Sequence, residues 1–280
     1  MRNIKLIIEY DGTDYHGWQY QPNARTIQGV MEEKVGRIVN EKVVLAASGR
    51  TDAGVHALSQ VANFRTESSI GCEALHRGLN ALLPHDIVVK SISEVEGDFH
   101  SRFSATGKVY IYQILNRSYP SALLSRFSWP IRCPLDIGLM NEAAAYIIGE
   151  HDFSSFRASS CGAPHPVKTV NAASFTVKSA PFPLGMGGGG MGPISQSFIG
   201  AAGVEDPTCQ FRKEEDLLIF EIEATGFLHH MVRNIVGTLV DVGMGKRIPE
   251  WFKDVLTLRD RKVAGVTAPP QGLFLKDVKY

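Results

Sequence analysis

The sequence is short of several things. Only four of its 280 residues are cysteine: Cys72, Cys133, Cys161 and Cys209. No two sit at a metal-binding spacing, and four are too few to staple a chain of this length. They read as reduced thiols of a cytoplasmic protein. No run of about 18 apolar residues occurs, so there is no candidate for a membrane-spanning helix. The first apolar stretch is interrupted by Lys5 and Glu9, which argues against a secretory leader. Net charge is lacking too, with 29 Lys and Arg against 29 Asp and Glu. Bulk basic charge therefore cannot be the argument for a nucleic-acid partner. What is present is ordinary: 44% hydrophobic and 21% charged residues. That excludes general disorder, collagen and coiled coil. The length suits one large domain or two modest ones, either with a sizeable core.

The placement of charge says more than its sum. No acid occurs from Phe99 to Leu135, while Arg102, Lys108, Arg117, Arg126 and Arg132 do. None occurs from Phe153 to Val204, which carries Arg157, Lys168 and Lys178, or from Ala224 to Val240, which carries Arg233 beside His229 and His230. If these stretches meet on one face, that face attracts phosphates. The plain alternative is that they are loops and buried strands with no electrostatic purpose.

Hydrophobic periodicity gives the element order. Lys5 to Tyr10 reads as a strand, and Thr26 to Asn40 as a helix capped by Thr26. Lys42 to Arg50 and Ser59 to Thr66 read as strands, Cys72 to Leu82 as a helix stopped before Pro84, and Ile87 to Val95 as a strand. That is β-α-β-β-α-β, a ferredoxin-like unit. The second half repeats it. Lys108 to Leu115 is a strand, Leu135 to Gly149 a helix, and Val167 to Val177 and Leu217 to Ala224 are strands. Phe227 to Val242 is a helix, Pro249 to Leu258 a short extra helix, and Leu273 to Tyr280 a strand. The expected fold is α+β, two ferredoxin-like subdomains (1–104 and 105–280) with a cleft between their sheets for a long ligand. Pro181 to Gln210, rich in glycine and proline, reads as a surface loop inserted in the second. Its formal G-x-G-x-x-G at Gly185, Gly187 and Gly190 has no strand before it and no helix after it, so it is not a dinucleotide site.

The stretch from Ser48 to Ala57 is the richest in chemistry. It sets Arg50, Thr51, Asp52 and His56 close together after an apolar strand, between glycines that allow sharp turns. Arg50 and Asp52 are two apart, so an extended backbone projects them to one side. A cation beside a carboxylate favours its charged form. A charged Asp in a dry cleft is a credible nucleophile or base. The alternative is a structural Asp tied to the amides of a turn.

Gly49 to Ala57, reading Gly-Arg-Thr-Asp-Ala-Gly-Val-His-Ala, resembles the signature of the TruA family of tRNA pseudouridine synthases. So do Tyr10 to Thr13 with Gly17 to Gln19, Thr26 to Gln28, Gln60 to Phe64, and Phe99 to Ala105. Lys108 to Tyr112, Met231 to Gly237, and Ala268-Pro269 with Gly272 to Leu275 complete the set in the family's order. The resemblance implies an isomerase without a cofactor. Its substrate would be uridine at positions 38, 39 and 40 in the tRNA anticodon stem-loop, and its state a homodimer. It implies that Asp52 is catalytic, that Tyr110 stacks on the uracil and that Arg50 helps displace the nucleotide. It also implies that Arg233 pairs with Asp52. The reaction breaks the N1–C1′ bond, turns the base and rejoins it through C5. Base extraction costs a few kcal/mol, which pocket contacts must offset.

At about 100° per residue, Phe227, Met231, Val232, Ile235 and Leu239 form an apolar helix face. His229, His230, Arg233, Asn234 and Gly237 share the other. An Arg on so apolar a helix suits a charge turned to a cleft. His229 and His230 complete no metal set, because adjacent residues on a helix diverge; His229 remains a candidate RNA contact. Arg25, Arg77, Arg102 and Lys108 are candidate phosphate contacts. Trp18 and Phe103 are core or stacking platforms. Two other readings compete. Glu9 to Thr13 faintly resembles the Asp-x-Asp-Gly-Thr nucleophile loop of haloacid-dehalogenase-like phosphatases, but Glu9 stands where the nucleophile is needed. A non-catalytic RNA-binding module is disfavoured by Asp52, because an acid is unwelcome in a purely phosphate-binding groove.

Overall fold

A computed structural model describes residues 1–159, 161–179 and 216–280. The glycine-rich stretch at 181–210 lies outside the described residues. The first half contains β1 (Arg2–Tyr10), α1 (Ile27–Val39), β2 (Ala46–Ala47), β3 (His56–Thr66), α2 (Cys72–Leu82) and β4 (Ile87–Val95). The second contains β5 (Gly107–Asn116), β6 (Trp129–Ile131), α3 (Ile137–Ala145), β7 (Gly149–Asp152), β8 (Val167–Ser179) and β9 (Asp216–Ala224). It continues with α4 (Met231–Gly243), α5 (Pro249–Leu258) and β10 (Leu273–Lys279). Among the described residues no helix is long and apolar enough to cross a membrane, and Cys72, Cys133 and Cys161 form no disulfide.

The strands build one mixed sheet in the order β4-β1-β3-β10-β5-β9-β8-β7, with β2 on β3 and β6 on β5. Two separate sheets were expected; one continuous sheet of ten strands is found. The reason lies in β2. The run from Lys42 to Arg50 contributes only Ala46 and Ala47 to the ladder, opposite Asn63 and Ala62. The first residues of β3 are therefore open, and an open strand edge must find partners. β10 supplies them in parallel, Phe274 opposite His56 and Leu275 opposite Ala57.

The helices pack on one face of this sheet. Ile27, Met31 and Val35 of α1 and Leu75 and Leu79 of α2 join the same buried cluster as Ile4, Leu6 and Ile8 of β1. α3, α4 and α5 join it beside Tyr112 and Ile114 of β5. The opposite face of β5 and β9 carries a smaller cluster, Ile111, Leu217, Ile219 and Phe274, to which no helix contributes. A gap thus opens over the middle strands, between the α1 layer and the α4 layer.

α4 borders that gap. Every residue in it is buried except Arg233 and Asp241. Its polar face is covered by the segment before β10. Asn234 donates to the Phe156 carbonyl at 2.8 Å and accepts from Thr267 Oγ1 at 2.7 Å and Arg261 at 3.1 Å. A Cβ at Gly237 would collide with the Val266 carbonyl. The close approach of this segment therefore requires glycine at 237. Gly237→Ala should lower stability by about 3 kcal/mol, the upper range for overpacking. The midpoint of urea unfolding reads this, and an unchanged midpoint would mean that the segment does not lie where described.

Candidate active site

The loop between β2 and β3 is held from several sides. Trp18 donates its backbone N–H to the Thr51 carbonyl at 3.0 Å, and the Tyr10 and Thr51 hydroxyls lie 2.8 Å apart. Gln60 donates to the Gly49 carbonyl at 2.8 Å and accepts from Ser48 Oγ at 2.7 Å. Gly17 has φ +84°, and a Cβ there would sit 2.6 Å from the Thr51 carbonyl oxygen. The glycine-bearing motif near the N-terminus is thus part of the cradle for the Ser48 to Ala57 loop. Val55 N–H closes a turn on the Asp52 carbonyl at 3.1 Å. That turn presents the Asp52 side chain, 24% exposed, to the gap over the sheet.

There Asp52 meets α4. Arg233 Nη1 donates to Asp52 Oδ2 at 3.0 Å, with the Arg side chain only 12% exposed. Arg233 is fixed in turn by Ala268: its Nε donates to the Ala268 carbonyl at 2.7 Å, and its own carbonyl accepts from Ala268 N–H at 3.1 Å. The Ala268-Pro269 pair also accepts the Tyr112 hydroxyl, at the Pro269 carbonyl, at 2.7 Å. The cation on Asp52 is therefore Arg233, as the resemblance implied. Arg50 is exposed at the rim, with no ion-pair partner among the described residues.

His229 and His230 were expected to diverge on a helix. They do not, because α4 starts at Met231 and His230, ahead of it, has φ +62°. That backbone turn brings the two rings to 4.0 Å between centroids. His229 Nε2 lies 3.3 Å from Asp52 Oδ1, and His230 Nε2 lies 3.3 Å from Asp52 Oδ2. Burial, with Arg233 and His229 nearby, holds His230 below the ordinary imidazole pKa against the pull of Asp52. Sequence reasoning missed His230 because a non-glycine residue at positive φ leaves no sequence signal.

The cleft around Asp52 measures about 1140 Å³. The three acid-free stretches meet in its wall, through His100 to Tyr110, Cys161 to Lys168, and Gly226 to Val232. Asp52 is the one acid among the described residues lining it, facing Arg50, Arg102, Lys108 and Lys168. Tyr110 lies on its floor, edge-on to Phe227 at 4.9 Å. Burial foremost, then Tyr10 and Asp52, raise the Tyr110 phenol far above its usual range, so it stays protonated. Burial, and then Arg102, lower the Lys108 ammonium to about 8.

Other candidates lie elsewhere. Arg25 packs on the Tyr15 ring and pairs with Asp86 at 3.8 Å, and Arg77 pairs with Glu73 on α2; neither lines the cleft. Trp18 is buried, whereas Phe103 is 77% exposed at the rim. His56 is structural: it accepts from Gly12 N–H at 3.1 Å, contacts the Arg126 carbonyl at 3.0 Å and stacks on Phe274. Asp11, suspected as part of a phosphatase loop, instead accepts from Thr13 N–H at 2.9 Å as a turn residue.

The site is thus a single carboxylate, clamped by an arginine in an otherwise basic cleft with an aromatic floor. A family model described as tRNA pseudouridine synthase matches residues 6–104 and 143–280. A protein named tRNA pseudouridine synthase A from Thermoanaerobacter sp. (strain X514) is 43% identical over 280 residues, all of both chains. One of the same name from Acetivibrio thermocellus is 42% identical over the full length of both. Another from Methylococcus capsulatus is 42% identical over 278 residues, 99% of this chain and 89% of its own. The chain belongs to the tRNA pseudouridine synthase family, and it is an enzyme of the isomerase class.

Arg233→Gln removes the clamp on Asp52 while leaving α4 otherwise packed. Turnover should fall by about 100-fold or more, the scale for losing a preorganised charge partner, with little change in the thermal midpoint. Steady-state rates on tRNA transcripts and a melting curve test the pair together. Unchanged turnover would remove Arg233 from the site.

Proposed function

We propose that this chain converts uridine to pseudouridine at positions 38, 39 and 40 of the tRNA anticodon stem-loop, with Asp52 as the catalytic residue. The observation that carries this is the 3.0 Å contact between Asp52 and Arg233 in a cleft with no other lining acid among the described residues. The reaction needs no cofactor, because its atoms balance within the substrate. The N1–C1′ bond breaks, a C1′–C5 bond forms, a proton leaves C5 and N1 gains one. Asp52 either attacks the nucleotide or stabilises positive charge at C1′. Arg233 and the fixed loop hold it ready before substrate arrives. Tyr110, kept protonated by its burial, stacks on the uracil, and Arg50 helps keep the nucleotide out of its stack. Arg102, Lys108 and His229 take phosphates along the cleft. Arg25 and Arg77, away from the cleft, are candidates only for more distant parts of the tRNA.

The chain is further read as two ferredoxin-like subdomains, 1–104 and 105–280. Strand order supports this: β4-β1-β3-β2 in the first half and β10-β5-β9-β8 in the second follow one pattern, with the fourth strand of each run beside its first. A cytoplasmic homodimer is the corresponding state, and sedimentation of the purified chain tests the dimer.

Release of tritium from C5-labelled uridine in tRNA transcripts tests the reaction. The wild-type chain should release it, Asp52→Ala should not, and Asp52→Asn should bind tRNA without turnover. Release by Asp52→Ala would overturn the assignment. Product from the wild type and none from an Asp52→Asn chain that still binds tRNA separates this reading from a non-catalytic RNA-binding module, which makes no product with or without the acid.

Lys108 gives a pH test. Its charge is present below about 8 and lost above, so affinity that depends on it is present at neutral pH and declines as pH rises through that value. Lys108→Gln should remove this decline and reduce the slope of log affinity against log salt by about one. Filter binding across that range measures both, and an unaltered salt slope would take Lys108 off the phosphate path.

A further inference from the structure

We propose that Asp52, His229 and His230 form a binding site for a divalent transition cation of the zinc type, and that the bound ion competes with tRNA for the cleft. The donor set is two imidazoles and one carboxylate, a common three-ligand combination for such ions. One ligand atom from each of the three residues lies within 4.8 Å of the other two. A tetrahedral ion with bonds of about 2.0–2.1 Å spaces its ligand atoms by about 3.3–3.4 Å. His229 Nε2 already stands 3.3 Å from Asp52 Oδ1, while His230 Nε2 stands 3.3 Å from Oδ2. A rotation of the His230 ring from Oδ2 toward Oδ1, within the 4.8 Å that separates the ligand atoms, closes the set. The arrangement is held by the backbone: the positive φ of His230 and the turn at Asp52 aim all three groups into the cleft.

The neighbours set the character of the site. Arg233 occupies Asp52 Oδ2 at 3.0 Å, and a dication placed there is repelled by the guanidinium. The ion is accordingly bound through Asp52 Oδ1 and the two histidines, more weakly than in a structural zinc site, and is exchangeable. The fourth position faces the open cleft, where a nucleotide would enter. An ion on the carboxylate also removes the charge that the reaction uses. The consequence is inhibition relieved by chelation.

The competition rests on the assignment of Asp52 above, but the binding step does not, so the two are measured separately. Binding is read on the chelator-treated full-length chain without RNA, by cobalt(II) absorption in the visible range and by zinc calorimetry. The expected result is one ion per chain with the intense absorption of a tetrahedral site. His229→Ala and His230→Asn should each weaken binding by at least about tenfold, the scale seen even for residues that only support a ligand. Asn is chosen at 230 because it tolerates positive φ. His85→Ala, a substitution on the exposed surface, should leave binding unchanged. Tritium release should then fall on adding zinc, recover with chelator, and need more zinc as tRNA is raised. No cobalt spectrum and no heat with zinc would overturn the site. So would equal affinity in both histidine variants, provided their melting curves match the wild type. Binding with zinc inhibition that is indifferent to tRNA concentration would overturn the competition.

Discussion

The ion pair between Asp52 and Arg233 joins two halves of the chain that are 181 residues apart in sequence. A charge pair of this kind is not a cheap device for stability, because both ions lose water on the way in. Its use is geometric. The carboxylate is held at one place by a guanidinium that is itself anchored, since Ala268 bonds Arg233 at both the side chain and the backbone. Preorganisation of this type is what a site needs when charge develops during reaction. The cost of desolvation is met by the surrounding core and by the hydrogen bonds that satisfy the arginine.

Much of the remaining structure follows from the need to hold those two residues. The short β2 leaves the start of β3 free, and β10 fills it. That parallel pairing fuses what would otherwise be two sheets, so the loop bearing Asp52 and the helix bearing Arg233 are referred to one rigid frame. The segment before β10 then serves both: it covers the polar face of α4 and delivers Ala268 to Arg233. Gly17 on one side and Gly237 on the other allow the backbone contacts that a side chain would block. The motifs scattered along the sequence are largely parts of this mounting. Most of them also line the cleft, the stretches Tyr10 to Thr13 and Gln60 to Phe64 being the exceptions.

Legibility in the sequence divides along physical lines. α2, β4 and α5 were legible to the residue, because amphipathic periodicity and a following or leading proline are local signals. Thr26 was legible as a cap for the same reason, and it accepts from the Gly29 N–H in the structure. The strand from Lys42 to Arg50 was over-read. Its composition favours a strand, but pairing is a property of the partner, and β3 was needed elsewhere. β6 and β7 are too short to announce themselves. At the site, Asp52 and Arg233 were visible through motif resemblance, whereas local spacing suggested Arg50 as the partner of Asp52. Arg50 instead sits exposed at the rim, and the carboxylate is held by Arg233 from a distant helix. The convergence of His229 and His230 depended on one backbone angle and had no sequence signal at all.

The electrostatic design was legible in a less familiar way. A net charge of zero conceals a cleft with one acid among its described lining residues. The exclusion of acids from three long stretches only acquires meaning once the fold brings those stretches to a common wall. A polyanion entering such a cleft is attracted by every ionised side chain it meets except one. The exception is neutralised in place by Arg233, so it does not repel the incoming backbone strongly. One ion pair thus lets an otherwise basic cleft carry an acid at little electrostatic cost to an incoming polyanion.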